Sequence, residues 1–169
     1  MKIFLTGAES TGKSTLTKLL AEHFKAPFVE EFARDYISGL NRNYDIKDLE
    51  VIARKQIEQI SSYKADELVF YDTGLIITYI WYQDKYGMVP DWLKEAIPVF
   101  GKGKYLLCDT DIKWENDSIR ENPHRRHELN QIYESTIREY GFELKLVGGQ
   151  GEERLNNAIE IVGQCLENA

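Results

Sequence analysis

Five short apolar stretches alternate with amphipathic ones along the 169 residues, and the first runs straight into a glycine-rich loop that opens a helix. These observations predict an α/β fold of three layers, a five-stranded, mainly parallel sheet between helices. No internal repeat, low-complexity segment or Pro/Gly/Ser-rich linker divides the chain, so residues 1–169 are expected to form a single domain.

The elements follow in order. Residues 2–6 are short, apolar and β-branched, as in a buried strand. Leu16, Leu19, Leu20 and Phe24 recur at helical spacing over 14–24. Residues 27–29 give a second strand, and the polar run Glu30 to Tyr36 lies at its carboxyl end, where open α/β sheets bind ligands. After the break at 41–43, Leu49, Ile52, Ala53, Gln56, Ile57 and Ile60 share a helical face within 46–63. Residues 67–72 read as a third strand closed by an acid. An aromatic-rich helix follows over 75–86, ending near Gly87, then a short helix over 91–96. Residues 104–108 form a fourth strand, 114–126 a charged stretch, 127–140 a helix, 142–147 a fifth strand and 152–166 the closing helix.

The loop Gly7-Ala8-Glu9-Ser10-Thr11-Gly12-Lys13-Ser14-Thr15 fits G-x-x-x-x-G-K-[ST], and its strand-loop-helix context is the one that gives this motif meaning. Gly7 and Gly12 permit backbone angles that a Cβ opposes, so loop N–H groups can turn inward around phosphate oxygens at the positive end of the helix. Lys13 is expected to reach the β- and γ-phosphates and Ser14 to hold Mg²⁺. The chain is therefore expected to bind ATP with Mg²⁺.

Four groups accompany the loop. Asp72 ends an apolar strand, the place of a carboxylate that holds Mg²⁺ beside a phosphate loop; a helix-capping Asp is the alternative. Glu30, Glu31 and Arg34 follow the second strand. A carboxylate there can orient a substrate hydroxyl, and the arginine a phosphate; a solvated charged turn fits as well. Glu9 is a further residue for the substrate side. Arg120, Arg125 and Arg126 lie in a polar segment, approximately 112–126, expected to close as a cationic lid over the γ-phosphate. Gly148 to Gly151 suits a loop beside a nucleotide base and equally a plain strand-to-helix turn.

A formal net charge of −7 argues against a general nucleic-acid or anionic-membrane surface. No apolar run reaches the length of a membrane span, and Met1 leads directly into the first strand, so a cytoplasmic protein without signal peptide is expected. Cys108 and Cys165 read as free thiols, and His124 and His127 as polar residues of a basic segment.

Together these motifs resemble the ribosylnicotinamide kinase domain of the NadR type, within the wider group of small P-loop ATPases and nucleoside kinases. The resemblance rests on the phosphate loop, Glu31-Phe32-Ala33-Arg34, Phe70-Tyr71-Asp72-Thr73, and the spacing of Trp114, Asp117 and Arg120 in Asp111 to Arg120. It covers essentially the whole chain. It implies a nucleoside/nucleotide kinase-like fold with a lid, Mg²⁺, and ATP-dependent phosphorylation of the ribose 5′-hydroxyl of nicotinamide riboside. It also implies substrate-side roles for Trp114 and Asp117, with Tyr86 near a pyridine ring. The chain departs from the family at Glu30, where an aromatic is usual, at Gly74, which replaces the second Asp of Asp-Thr-Asp, and in the lid at Lys113 and Ser118. The adenylyltransferase and DNA-binding segments of longer family members are not expected, since the first strand starts at residue 2.

Three functions are thus in play. The first is a small-molecule kinase acting on a riboside such as nicotinamide riboside, with Lys13, Mg²⁺ and lid arginines neutralising charge and either Glu31 or Asp72 as base. The second is a regulatory ATPase without an acceptor; no guanine-reading Asn-Lys-x-Asp is present, and an AAA-type motor is usually longer. The third is a nucleotide-sensing module. Homo-oligomeric assembly stays open.

Overall fold

A computed structural model describes residues 1–116 and 122–168. The described elements are β1 (Lys2–Thr6), α1 (Lys13–Phe24), β2 (Phe28–Val29), α2 (Phe32–Ser38), α3 (Ile46–Ser61), β3 (Val69–Asp72), α4 (Leu75–Tyr86), α5 (Asp91–Phe100), β4 (Lys104–Cys108), α6 (Arg126–Glu139), β5 (Glu143–Val147) and α7 (Gly151–Glu167). The five strands form one sheet in the order β2-β3-β1-β4-β5, every neighbouring pair parallel. Hence the strand that feeds the phosphate loop lies at the centre, and β3, which ends in Asp72, lies beside it with Leu5 opposite Asp72.

Alternation in the central strands builds two cores, because successive side chains of a strand face opposite ways. On one face Ile3, Leu5, Phe70 and Leu106 pack with Leu16, Leu20, Ala158 and Val162 from α1 and α7. On the other Phe4, Tyr71 and Tyr105 pack with α3, α4, α5 and α6. Phe4 is held between two rings, 4.9 Å from Tyr71 and 4.9 Å from Tyr105, and Phe142 continues the stack 5.5 Å beyond Tyr105. Aromatic pairs in offset stacks contribute beyond the area they bury, so this ladder ties four elements across the sheet.

Two features differ from the sequence expectation. The run Glu30 to Tyr36, expected as a polar strand end, becomes α2 after Glu31. A buried carboxylate secures its far end: Asp48 accepts from the Tyr36 hydroxyl at 2.9 Å, from Arg42 at 2.6 and 2.9 Å and from the Asp45 backbone N–H at 2.7 Å. This network, completed by Asp45 as N-cap of α3, holds the Asp48 carboxyl well below the usual range. Helix α5 runs to Phe100 rather than to residue 96, with Pro98 inside it. A proline removes one backbone donor, and the Gly101 N–H still reaches the Ile97 carbonyl at 2.8 Å to close the helix. Among the described residues no helix is long and apolar enough to cross a membrane.

Candidate active site

The loop is shaped by two glycines in backbone regions that side chains resist: φ is +124° at Gly7 and +74° at Gly12. A Cβ on Gly7 would also lie 3.0 Å from the Cys108 carbonyl, so β4 packs tightly against the loop there. Asn130 from α6 fastens the loop. Its amide oxygen accepts from the Ala8 N–H at 2.8 Å, and its amide nitrogen donates to the Cys108 carbonyl at 2.9 Å. Both groups are buried, so the pair satisfies two backbone atoms that would otherwise be costly to leave unmet. Lys13 folds back over the loop and donates to the Gly7 and Ala8 carbonyls at 3.0 and 2.8 Å.

At the end of β3 the chain turns sharply. Thr73 has φ of +73°, an outlier for a β-branched residue, and its N–H donates to the Leu5 carbonyl at 3.1 Å. The turn directs Asp72 at α1, where it receives the Ser14 hydroxyl. Its Oδ1 is buried without a partner among the described residues. Burial raises the Asp72 carboxyl above its ordinary pKa, against the opposing pull of Ser14 and the Lys13 ammonium. The N-cap position of α4 is Gly74, with no side-chain cap bond, so Asp72 is not the helix cap. A hydroxyl beside a carboxylate with an unmet buried oxygen is an oxygen-donor set suited to a hard divalent cation such as Mg²⁺.

A cavity of about 430 Å³ opens above the loop. One end lies over α1 and the start of α7 and is lined by Thr15, Leu19, Ile112, Gly151 and Arg154. The other is lined by Glu31, Arg34, Ile77, Ile80, Trp81 and Tyr133. Glu31 and Arg34 lie 3.7 Å apart, and burial raises the Glu31 carboxyl above its ordinary pKa, Lys13 pulling the other way. The structure therefore brings Gly7 to Thr15, Glu31 and Arg34 to one cavity. Asp72 does not line it and is joined to it through its bond to Ser14.

Other expected site residues lie elsewhere. Glu30 does not line the cavity: it turns outward and pairs with Lys18 at 2.8 Å, its side chain 63% exposed. Tyr86 and Trp114 are also off its wall; Trp114 lies under the Arg126 guanidinium, 5.8 Å from the ring centre. Arg125 is held by Asp84 at 2.7 and 3.0 Å and by Glu128 at 2.8 and 3.1 Å, which raises its pKa further. Arg126 donates to the Ser10 and Ile112 carbonyls, both at 3.0 Å, and so ties the segment after β4 to the loop. The loop side chains reciprocate, Ser10 Oγ accepting from the Glu115 N–H at 2.9 Å and Glu9 from the Asn122 N–H at 3.0 Å. Asp117 and Arg120, and with them the middle of the expected lid, lie outside the described residues.

Sequence reading missed Asn130 and Arg154. Arg154 is 5% exposed and donates to Asp111 at 2.6 Å, to the Gly149 carbonyl at 3.1 Å and to the Asp109 carbonyl at 3.0 Å. Asp111 in turn accepts from the Gly149 N–H at 2.6 Å, so the Gly148–Gly151 turn is clamped to the end of β4. Neither residue belongs to a local motif. Only a polar residue recurring on an otherwise apolar helix face hinted at Asn130, beside Leu129 and Tyr133.

The fold is shared with known proteins that the chain is similar to. A solved NadR protein in complex with NR superposes with a TM-score of 0.76 at 24% identity, over 96% of this chain and 50% of that one. The thymidylate kinase of Ehrlichia chaffeensis superposes with a TM-score of 0.71 at 13% identity, over 98% of both chains. The trifunctional NAD biosynthesis/regulator protein NadR of Salmonella typhimurium is 23% identical over 124 residues, which is 70% of this chain and 30% of that protein. The chain thus spans about half or less of the NadR proteins it matches. The fold is that of P-loop kinases of nucleosides and nucleotides. A family model described as AAA domain matches residues 2–154, and the chain belongs to this AAA domain family.

Proposed function

We propose that the chain is an ATP-dependent kinase that phosphorylates the 5′-hydroxyl of a riboside such as nicotinamide riboside. The observation that carries this reading is one cavity with a phosphate loop between two differently lined ends. A loop that only hydrolyses nucleotide needs one end for the base. Here the second end holds a half-buried carboxylate, Glu31, beside Arg34, among apolar walls. The likeness to NadR bound to NR supports a riboside as its occupant.

In this mechanism the donor base lies at the Thr15, Leu19, Ile112, Gly151 and Arg154 end, and the loop N–H groups take the phosphates. Lys13 leaves the Gly7 and Ala8 carbonyls and follows the β- and γ-phosphate oxygens. Ser14 and Asp72 would hold Mg²⁺, which would supply charge neutralisation on the transferring phosphoryl group. Glu31 accepts a hydrogen bond from the 5′-hydroxyl and orients it in line, its raised pKa bringing it closer to the working pH of a base. Arg34 opposes the upward shift at Glu31 and faces the acceptor. Arg125 and Arg126 belong to the lid expected over 112–126, with Arg126 already anchored on the loop.

The test is product formation from ATP and a panel of ribosides, read by mass. Phosphorylated nicotinamide riboside is the expected product. Another riboside product would keep the kinase and change the acceptor. ATP hydrolysis with no riboside product would favour the regulatory ATPase.

A further inference from the structure

Helix α4 supplies half of the acceptor wall. Ile77, Ile80, Trp81 and Asp84 lie three and four residues apart on α4, so one face of that helix meets the cavity. Ile77 and Ile80 are 4% and 1% exposed and are consumed by the core. Asp84 is occupied by Arg125. Trp81 is half-buried, and its ring is the extended aromatic surface that α4 presents there.

This indole is braced. Tyr44, which does not line the cavity, packs against Trp81 with ring centres 6.0 Å apart and planes 32° apart. The Lys85 ammonium lies 3.5 Å over the centre of Tyr44 and holds that ring by cation–π attraction. The layering of Lys85, Tyr44 and Trp81 limits the indole's rotamers before any ligand arrives, so less side-chain entropy is lost on binding. A braced indole with Leu129 and buried Tyr133 on α6 also lining the cavity is a receptor for a flat apolar ring, not for a polyol alone.

We propose that Trp81 is the stacking platform that selects the acceptor, a pentoside carrying a planar nitrogen heterocycle. The ring lies on the indole, and the sugar hydroxyl points towards Glu31. This rests on the kinase reading and adds the residue that discriminates between acceptors. Trp81 touches the ring and takes no part in phosphoryl transfer, so its loss acts on KM.

The experiment is steady-state phosphorylation of nicotinamide riboside, adenosine and ring-free ribose by the full chain and by Trp81→Leu, Trp81→Phe and Tyr44→Leu. With Trp81→Leu the KM for the ring-bearing acceptors rises about tenfold or more, the scale of one base-on-aromatic stack. Its kcat and its KM for ATP stay within about twofold, and KM for ribose does not change. Trp81→Phe recovers most of the loss, and Tyr44→Leu gives a smaller rise through the unbraced indole. In parallel, riboside quenches tryptophan fluorescence in the unmodified chain and not in Trp81→Phe. An unchanged KM in Trp81→Leu, or an equal rise for ribose, overturns the platform and leaves the kinase standing. If no riboside is phosphorylated by the unmodified chain, the kinase reading fails. The quench then decides the platform alone: selective loss in Trp81→Phe supports it, and no quench overturns it.

Discussion

The two ends of the cavity are built differently. The phosphate end is made of backbone, a loop held by positive φ at Gly7 and Gly12 and by the Asn130 clamp on Ala8. The acceptor end is made of side chains from three helices, with Glu31 and Arg34 at α2, Trp81 on α4 and Tyr133 on α6. A backbone site depends on a few obligatory residues at fixed spacing. A side-chain site depends on which of several neighbours happens to face inward. On the proposed reading the first is rigid in sequence and common to many acceptors, and the second sets which acceptor is taken.

The comparison can be broken hardest at Lys13. Lys13→Ala removes the cation that must leave its two loop carbonyls for the phosphates. A fall in kcat of about 10³-fold or more is expected, the scale of a lost charge clamp on a phosphoryl group. Melting temperature should barely move; turnover near that of the unmodified chain would sink the phosphate end. At the other end, Glu31→Gln keeps shape and removes the proposed base. A loss of about 10²–10⁴-fold in kcat with unchanged ATP-analogue affinity is expected. Weaker analogue binding instead would place Glu31 on the donor side.

Asp72→Asn sharpens the contrast between stability and function. Its activity should fall about 10–100-fold, with a higher Mg²⁺ requirement. Asp72 and Glu31 both have pKa values raised by burial, so folding favours their protonated forms. Their stabilising contribution is complete below the unfolded pKa values, roughly 4, and is lost as pH rises through the raised folded values. Removing the charge should thus raise the melting temperature of Asp72→Asn at pH 7, a gain that shrinks as pH approaches 4. A lower melting temperature at pH 7 would mean that the carboxylate supports the fold. The smallest effect is expected at the clamp. Asn130→Ala leaves the Ala8 N–H and the Cys108 carbonyl unmet, costing about 1–3 kcal/mol of stability, with analogue affinity down by several-fold. Thermal unfolding and calorimetric titration read both.

The difference between the ends also explains what could be read from the sequence. The central strands, the loop and the acid closing β3 were legible because each is a local pattern: an apolar run, a glycine spacing, a terminal Asp. The acceptor wall was not. Glu30 and Glu31 are adjacent acids at a strand-to-helix junction, and the side each faces depends on the turn into α2, a seven-residue helix too short to show a period. Trp81 sits in a helix apolar almost all round, where an indole reads as core. Asn130 and Arg154 act on backbone more than twenty residues away, which no local pattern reports.

The ring ladder across the sheet has a bearing on how this site can change over generations. A Cβ at Gly74 would lie 2.7 Å from the Phe4 ring, and Phe4 is wholly buried between Tyr71 and Tyr105. Since the ring has nowhere to retreat, an acidic residue cannot be installed at position 74 by one substitution. Position 4 has to shrink first, and that step by itself opens a hole at the centre of the sheet and costs about 3–5 kcal/mol if it goes to alanine. The two changes are therefore expected to be epistatic, each harmful alone.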